Sequence, residues 1–140
     1  MPSRIAPYLL YEDVPGALEF LGNAFGFREL LRYADDRGTV NHAEMELGGE
    51  SIMMGNPGPD YASPRRDGHV GAQVHVYVDD VDGHFEQARA AGAEILNEPA
   101  DQPYGDRRYD ARDPEGHRWS FAQRIRDVPP EEWGAQSADS

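Results

Sequence analysis

Hydrophobic and polar residues follow two periodicities along this chain, in an order that occurs twice. An apolar run over residues 5–11 predicts a first strand. Apolar residues then recur at helical spacing, after the potential capping residue Asp13 and before Gly26, which predicts a helix between them. Turn residues separate three further predicted strands, at 27–33, 38–47 and 51–55.

The second half of the chain repeats this order. Residues 73–78 alternate strictly between apolar and polar, as expected of a strand with one buried face. A helix is predicted from Val81 to about Ala91, with Asp80 as its cap and Gly92 as its end. The remaining strands are predicted near 94–97, 106–112 and 117–123.

An offset of 67 residues relates the two halves, because EDVPGALE at 12–19 aligns with DDVDGHFE at 79–86. The sequence therefore predicts one α+β domain over 1–140, built from two tandem βαβββ modules. Its parts are module one at 5–55, a linker with little regular structure at 56–69, module two at 70–123 and a polar tail at 124–140. Trp133 in the tail is predicted to dock on the domain or on a partner subunit.

Composition and charge exclude several classes of function. The 140 residues include no Cys, which rules out disulfides and Cys-based metal sites, and all 13 basic residues are Arg. With 26 acidic residues the net charge is −13, so nucleic acids and anionic membrane surfaces are poor partners. The chain shows no membrane-length apolar run and no signal-peptide pattern, which predicts a soluble cytoplasmic protein.

Two segments of module two, VHVYVDDVDGHFEQARAAGAEIL at 74–96 and YGDRRYDARDPEGHRWSF at 104–121, carry a family resemblance. They resemble the glyoxalase / bleomycin-resistance / extradiol-dioxygenase superfamily, also called the vicinal oxygen chelate fold, and residues 7–27 resemble the matching first half. The resemblance implies a curved, half-open sheet around a cavity, with helices outside. It also implies a homodimer whose cavities are made from both chains, as in drug-sequestering members.

Metal-using members of that family place one ligand on the first and last strand of each module. The resemblance carries these positions over to Ala6, Met53, Gln73 and Ser120, and the internal offset links the same pairs. Only Gln73 is a usual occupant of such a position, whereas Ala6 has no donor atom. These departures argue against a standard glyoxalase I or extradiol dioxygenase.

Strand alternation predicts which side chains face the cavity, because residues two apart lie on one face. In module one, His42 and Glu44 are expected there, opposite the core set Ala43, Met45 and Leu47. The residues predicted to contact a ligand are Tyr8, His42, Met53, Gln73, Tyr77, Arg108 and Ser120. Arg108 is expected either to clamp a ligand anion or to pair with a nearby acid.

His75, Glu44 and His42 support two further interpretations. As a shifted metal site they would hold one divalent ion such as iron, zinc, nickel or manganese, and the alternative is a polar hydrogen-bond network. As an acid–base pair, His75 and Glu44 would be catalytic. Among the remaining histidines, His117 is expected to bond nearby backbone and His84 to lie on a helix surface.

Three functions remain open from the sequence. The first is a metal-independent protein, with no cofactor, that binds or sequesters a small organic ligand, aromatic or partly polar. The second is a lyase, isomerase or oxygenase that uses the shifted metal site or the acid–base pair. The third is an interaction module with no ligand, which predicts an occluded cavity.

Overall fold

The computed structural model describes residues 4–138, and its elements follow the predicted order βαβββ twice. Module one contains β1 (Tyr8–Leu10), α1 (Val14–Phe25), β2 (Arg28–Ala34), β3 (Val40–Leu47) and β4 (Glu50–Gly55). Module two contains β5 (Gln73–Tyr77), α3 (Val81–Ala90), β6 (Glu94–Asp101), β7 (Asp106–Arg112) and β8 (Arg118–Arg124). A short helix α2 (Pro64–Asp67) lies between the modules, and a 3₁₀ turn (Pro130–Trp133) follows them.

Each module forms a four-stranded mixed sheet, with strand orders β1-β4-β3-β2 and β5-β8-β7-β6. The first strand of each module pairs parallel with the last, and the other pairs are antiparallel. Tyr8 lies opposite Met53 in module one, and His75 lies opposite Ser120 in module two. These two register pairs differ by the offset read from the sequence, so the strand pairing confirms the duplication and the α+β fold class.

The two long helices begin in the same way. The side chain of Asp13 accepts a hydrogen bond of 3.0 Å from the backbone N–H of Gly16, and Asp80 accepts one of 3.1 Å from Gly83. A Cβ at Gly16 or Gly83 would collide with the capping carboxylate, so the cap requires glycine there. The predicted stop at Gly26 is also confirmed, since this residue is left-handed with φ 84°.

The modules share one hydrophobic core beneath the helices. Phe25 at the end of α1 packs against Trp119 and Phe121 of β8, with ring centroids 5.3 and 4.7 Å apart. Trp119 and Phe121 are fully buried on the same face of β8. Burial of such aromatic groups is a main source of the stability of a domain of this size.

The prediction that His84 lies on a helix surface is wrong. Its ring packs 4.2 Å from the ring of Phe121, with Nε2 at 2.8 Å from the carbonyl oxygen of Phe25 and Nδ1 bonded to the hydroxyl of Tyr109. The helical pattern of α3 alone could not show this, because α1 of the other module covers that face.

Two connecting regions are more ordered than their composition suggests. The linker was expected to have little regular structure, but it contains α2, and the backbone N–H of Arg65 donates to the carbonyl oxygen of Glu115 at 2.9 Å. Trp133 docks on the domain, with its ring 5.6 Å from that of Tyr104. Among residues 4–138, no helix is long and apolar enough to cross a membrane.

Candidate functional site

The face of each sheet opposite the shared core carries the predicted site residues. In β3, Ala43 and Met45 are buried in the core, whereas His42 and Glu44 lie half-buried on the other face. In β4 the core takes Met54, and Met53 faces the other way. Strand alternation therefore predicted correctly which residues share the open face of module one.

A hydrogen-bonded series crosses that face. The Tyr8 hydroxyl lies 2.9 Å from Nδ1 of His42, and Nε2 of His42 lies 3.1 Å from a carboxylate oxygen of Glu44. With the imidazole proton on Nε2, Tyr8 donates to His42 and His42 donates to Glu44, so one tautomer satisfies both bonds. A Cβ on residue 55 would lie only 2.7 Å from the Tyr8 hydroxyl oxygen. Glycine at this position therefore leaves room for the Tyr8 side chain.

The open face of module two carries a separate polar network. Arg108 Nε lies 3.2 Å from Asp110, which also accepts from the Asn97 amide at 2.8 Å. Burial alone would raise the pKa of Asp110, but the hydrogen bond from Asn97 and the charge of Arg108 lower it overall. Arg108 is therefore occupied by an ion pair inside its own module, which is the second of the two roles expected for it.

His75 and Tyr77 of β5 lie at the edge of this network. Their rings meet edge to face at 5.1 Å, and the Tyr77 hydroxyl donates to the buried carboxylate of Asp106 at 2.9 Å. The pKa of His75 is lowered from its usual value, first by desolvation and then by the charge of Arg108. His75 is thus a neutral imidazole at neutral pH.

A cavity of about 550 Å³ opens between β1 and β5, at the junction of the modules. Of the predicted site residues, Tyr8, Gln73 and His75 line it. The rest of its wall consists of Pro7, Leu9, Leu10, Tyr61, Pro64, His69, Val70, Gly71, Ala72, Val74, His117 and Arg118. The other predicted residues lie outside this lining, on the open faces, namely His42, Glu44, Met53, Tyr77, Arg108 and Ser120.

The residues at the four metal positions of the family do not fit a metal ion. Ser120 is fully buried, and Met53 offers only a thioether on the face beside Glu44. The three residues of the proposed shifted metal site also do not come together within a single chain. His42 and Glu44 touch each other in module one, but His75 belongs to module two, and residues 4–138 contain no group of three His, Cys, Asp or Glu that could hold an ion.

The turn between β7 and β8 was recognised as a family motif, but its role in joining the modules was missed. The Glu115 carboxylate accepts the backbone N–H groups of Glu12 and Asp13 at 2.6 and 2.9 Å, ahead of α1. His117 Nε2 bonds the carbonyl oxygen of Leu10 at 2.6 Å, which agrees with the backbone-bonding role expected for it. No pattern within the turn indicates that its partners lie in the other module.

The chain belongs to the glyoxalase/bleomycin resistance protein/dioxygenase superfamily, whose family model matches residues 4–121. An uncharacterised protein of Mycobacterium tuberculosis strain H37Rv is 33% identical over 129 residues, which cover 89% of this chain and 76% of that protein.

Solved structures agree with this assignment. The crystal structure of TioX from Micromonospora sp. ML1 is 41% identical, with a TM-score of 0.73, and covers 88% of this chain and 99% of that one. The fosfomycin resistance protein FosX of Listeria monocytogenes, 16% identical with a TM-score of 0.65, shares the fold over 94% of this chain and 98% of its own.

Proposed function

We propose that this protein binds a small organic molecule without a metal ion, in the cavity between β1 and β5. The observation that carries the proposal is the cavity itself, which is open and has a volume of about 550 Å³, within the usual range for small-molecule sites. Leu10, Val70 and Val74 supply apolar surface, and Tyr8 and Gln73 supply hydrogen-bonding groups. A few polar groups in an apolar wall are typical of ligand sites.

Binding without a metal agrees with the residues found at the four positions that carry metal ligands in metal-using members of the superfamily. Ala6 has no ligand atom, and Ser120, which is fully buried, offers only a hydroxyl, a weak ligand for such ions. We expect elemental analysis to find no stoichiometric metal in protein purified without chelator after iron, zinc, nickel or manganese supplementation. About one ion per chain, lost in a His42→Ala variant, would overturn this part of the proposal.

A fluorescence titration with N-phenylnaphthylamine tests the binding function, because this uncharged aromatic probe becomes fluorescent when it leaves water. We expect saturable binding that is abolished by Ala72→Trp, which fills the cavity. Ala90→Trp is the matched control, since Ala90 is an exposed residue of α3. Failure to bind, or equal binding by both variants, would refute a ligand site in this cavity.

The series Tyr8–His42–Glu44 supports a second candidate function, proton transfer. Glu44 orients the imidazole, and His42 accepts a proton at Nδ1 once the Tyr8 hydroxyl turns away. A single oriented base of this kind is sufficient for isomerisation or epimerisation, in which a proton is removed next to a carbonyl group. Incubation with 2-oxo acids and other carbonyl compounds in deuterated water would show deuterium uptake in the wild type and not in His42→Gln.

We also propose that two copies of the chain associate through the open face of module one. All seven residues of β2 are exposed, and this strand forms the outer edge of its sheet. Leu31 and Tyr33 are 46% and 57% exposed on it. Apolar side chains exposed side by side on one face of a sheet indicate a surface that associates with another. The same face of a second copy carries the same exposed side chains and would cover them.

A further inference from the structure

The cavity between the modules differs in charge from the rest of the molecule. The chain has 26 acidic residues and a net charge of −13, yet the described residues that line the cavity include no Asp or Glu. Its ionisable side chains, apart from two tyrosines, are Arg118, His69, His75 and His117. In so acidic a protein, a lining without carboxylates exposes an anion to less repulsion than the rest of the surface does, although the charges of Glu12 and Glu115 reach Tyr61 on one wall.

Arg118 is the fixed positive charge of this cavity. It begins β8, with Gln73 of β5 as its cross-strand partner on the same face. Arg118 forms no ion pair within residues 4–138, whereas Arg108 and Arg124 of the same sheet each pair with an aspartate. Its Nε is buried and has no hydrogen-bond partner in the described part of the chain. A buried donor without a partner is costly, so this atom is available to a ligand.

A second arginine lies on the neighbouring strand. Arg112 of β7 is directly opposite Arg118, and its Nε is likewise buried without a partner among residues 4–138. Its ion-pair contact is with Glu94 at 3.7 Å, and Glu94 is held more closely by Arg65 at 2.9 Å. Like charges directly opposite each other on neighbouring strands are destabilising. An anion bound at Arg118 would relieve this repulsion.

We propose that the cavity selects ligands that combine an apolar, typically aromatic, body with an anionic group such as a carboxylate or sulfonate. Arg118 donates charge-assisted hydrogen bonds to the anion, Arg112 adds to the local positive field, and the Gln73 amide donates beside Arg118. The body lies against Tyr8, Leu10 and Val70. This inference rests on the proposed binding function and names the class of ligand for the same cavity.

Two fluorescent probes with one shared skeleton test the inference. Anilinonaphthalene sulfonate carries a sulfonate on the phenylnaphthylamine body, so a comparison with N-phenylnaphthylamine isolates the anionic group. We expect the wild type to bind the sulfonate more tightly than the neutral probe. Loss of the hydrogen bonds from one charged group lowers affinity by about 10-fold to 100-fold. Arg118→Gln should therefore weaken sulfonate binding by that factor and leave the affinity for the neutral probe unchanged.

Arg126→Gln is the matched control, because it removes the same charge from an exposed position that forms no ion pair within residues 4–138. A similar loss in this variant would attribute the effect to net charge and overturn the inference. Arg112→Gln is expected to weaken sulfonate binding less than Arg118→Gln, since Arg112 stands behind the lining.

The possible failures are distinguishable. If the neutral probe binds the cavity but the sulfonate binds no more tightly, or if Arg118→Gln changes neither affinity, anion selection is wrong and the binding function stands. If neither probe binds, the binding function itself fails and the inference fails with it. Equal competition by inorganic phosphate and by naphthoate would show that the apolar body contributes nothing, which also contradicts the inference.

Discussion

The hydroxyl of Tyr11 in module one donates a 2.7 Å hydrogen bond to the carboxylate of Asp113 in module two. Both residues are almost completely buried, and the same carboxylate oxygen accepts the indole N–H of Trp119 at 3.1 Å. The other oxygen accepts the backbone N–H groups of Glu115 and His117. A buried aspartate with four donors therefore joins residues that are 102 positions apart along the chain.

Tyr11→Phe is expected to destabilise the protein by about 1.5–3 kcal/mol, because a buried charge loses one of its donors. Chemical unfolding monitored by circular dichroism measures this change. Tyr61→Phe is the matched control, since its hydroxyl donates to the carbonyl oxygen of Leu10 in an exposed setting. Equal effects of the two substitutions would contradict the importance of the buried contact.

Stability is expected to fall as the pH drops below about 6.5, the pKa of histidine in an unfolded chain. Desolvation lowers the pKa of folded His84, so between the two pKa values the unfolded state binds a proton that the folded state does not. The folded state is therefore favoured above pH 6.5 and loses this advantage as the pH falls. Urea midpoints at neutral and mildly acidic pH should differ less in His84→Gln than in the wild type, and an equal difference in the two proteins would contradict this role of His84.

The lowered pKa of Glu12 leads us to expect a second loss of stability at lower pH. Hydrogen bonds from Ser63 and Arg66 of the linker region lower its pKa to about 2, from the usual 4.5 of a glutamate. The stabilising contacts of the ionised Glu12 are complete above pH 4.5 and disappear as the pH falls toward 2. In acid titrations, Glu12→Gln should therefore lose less stability over this interval than the wild type. A parallel acid transition in both proteins would argue against this contact.

Leu31→Lys tests the proposed association of two copies. A charge on the open face of β2 should shift the protein toward monomers, as measured by light scattering after size-exclusion chromatography. Ile125→Lys is a suitable control because Ile125 is similarly exposed, at 43%, but follows β8 in module two. A wild type that is already monomeric at micromolar concentration would refute the proposal directly.

The sequence predicted the elements of the fold because most of its signals are local. The two Asp caps, the left-handed Gly26 and the alternation in β3 and β5 each depend on residues within one element. The internal offset added long-range information, and it placed Tyr8–Met53 and His75–Ser120 in equivalent registers.

The site was predicted less completely, because its geometry depends on how the two modules meet. Strand alternation correctly placed His42 and Glu44 on one face, but it could not show that His75 lines the cavity between the modules while these two residues lie outside it. Arg118 was not singled out, since its significance depends on the cross-strand arginine and on the lack of acids around it. His84 was misplaced for the same reason, because its neighbours come from α1 and β8.

The bond between Tyr11 and Asp113 also constrains the order of events during synthesis. Module one leaves the ribosome before Asp113, Glu115 and Trp119 have been translated, so α1 lacks the carboxylate ahead of it and Phe25 lacks its ring partner. Contacts between distant segments slow folding and leave apolar surface exposed in the meantime. The nascent first half should therefore remain unstable and dependent on chaperones until the turn between β7 and β8 emerges and both modules fold together.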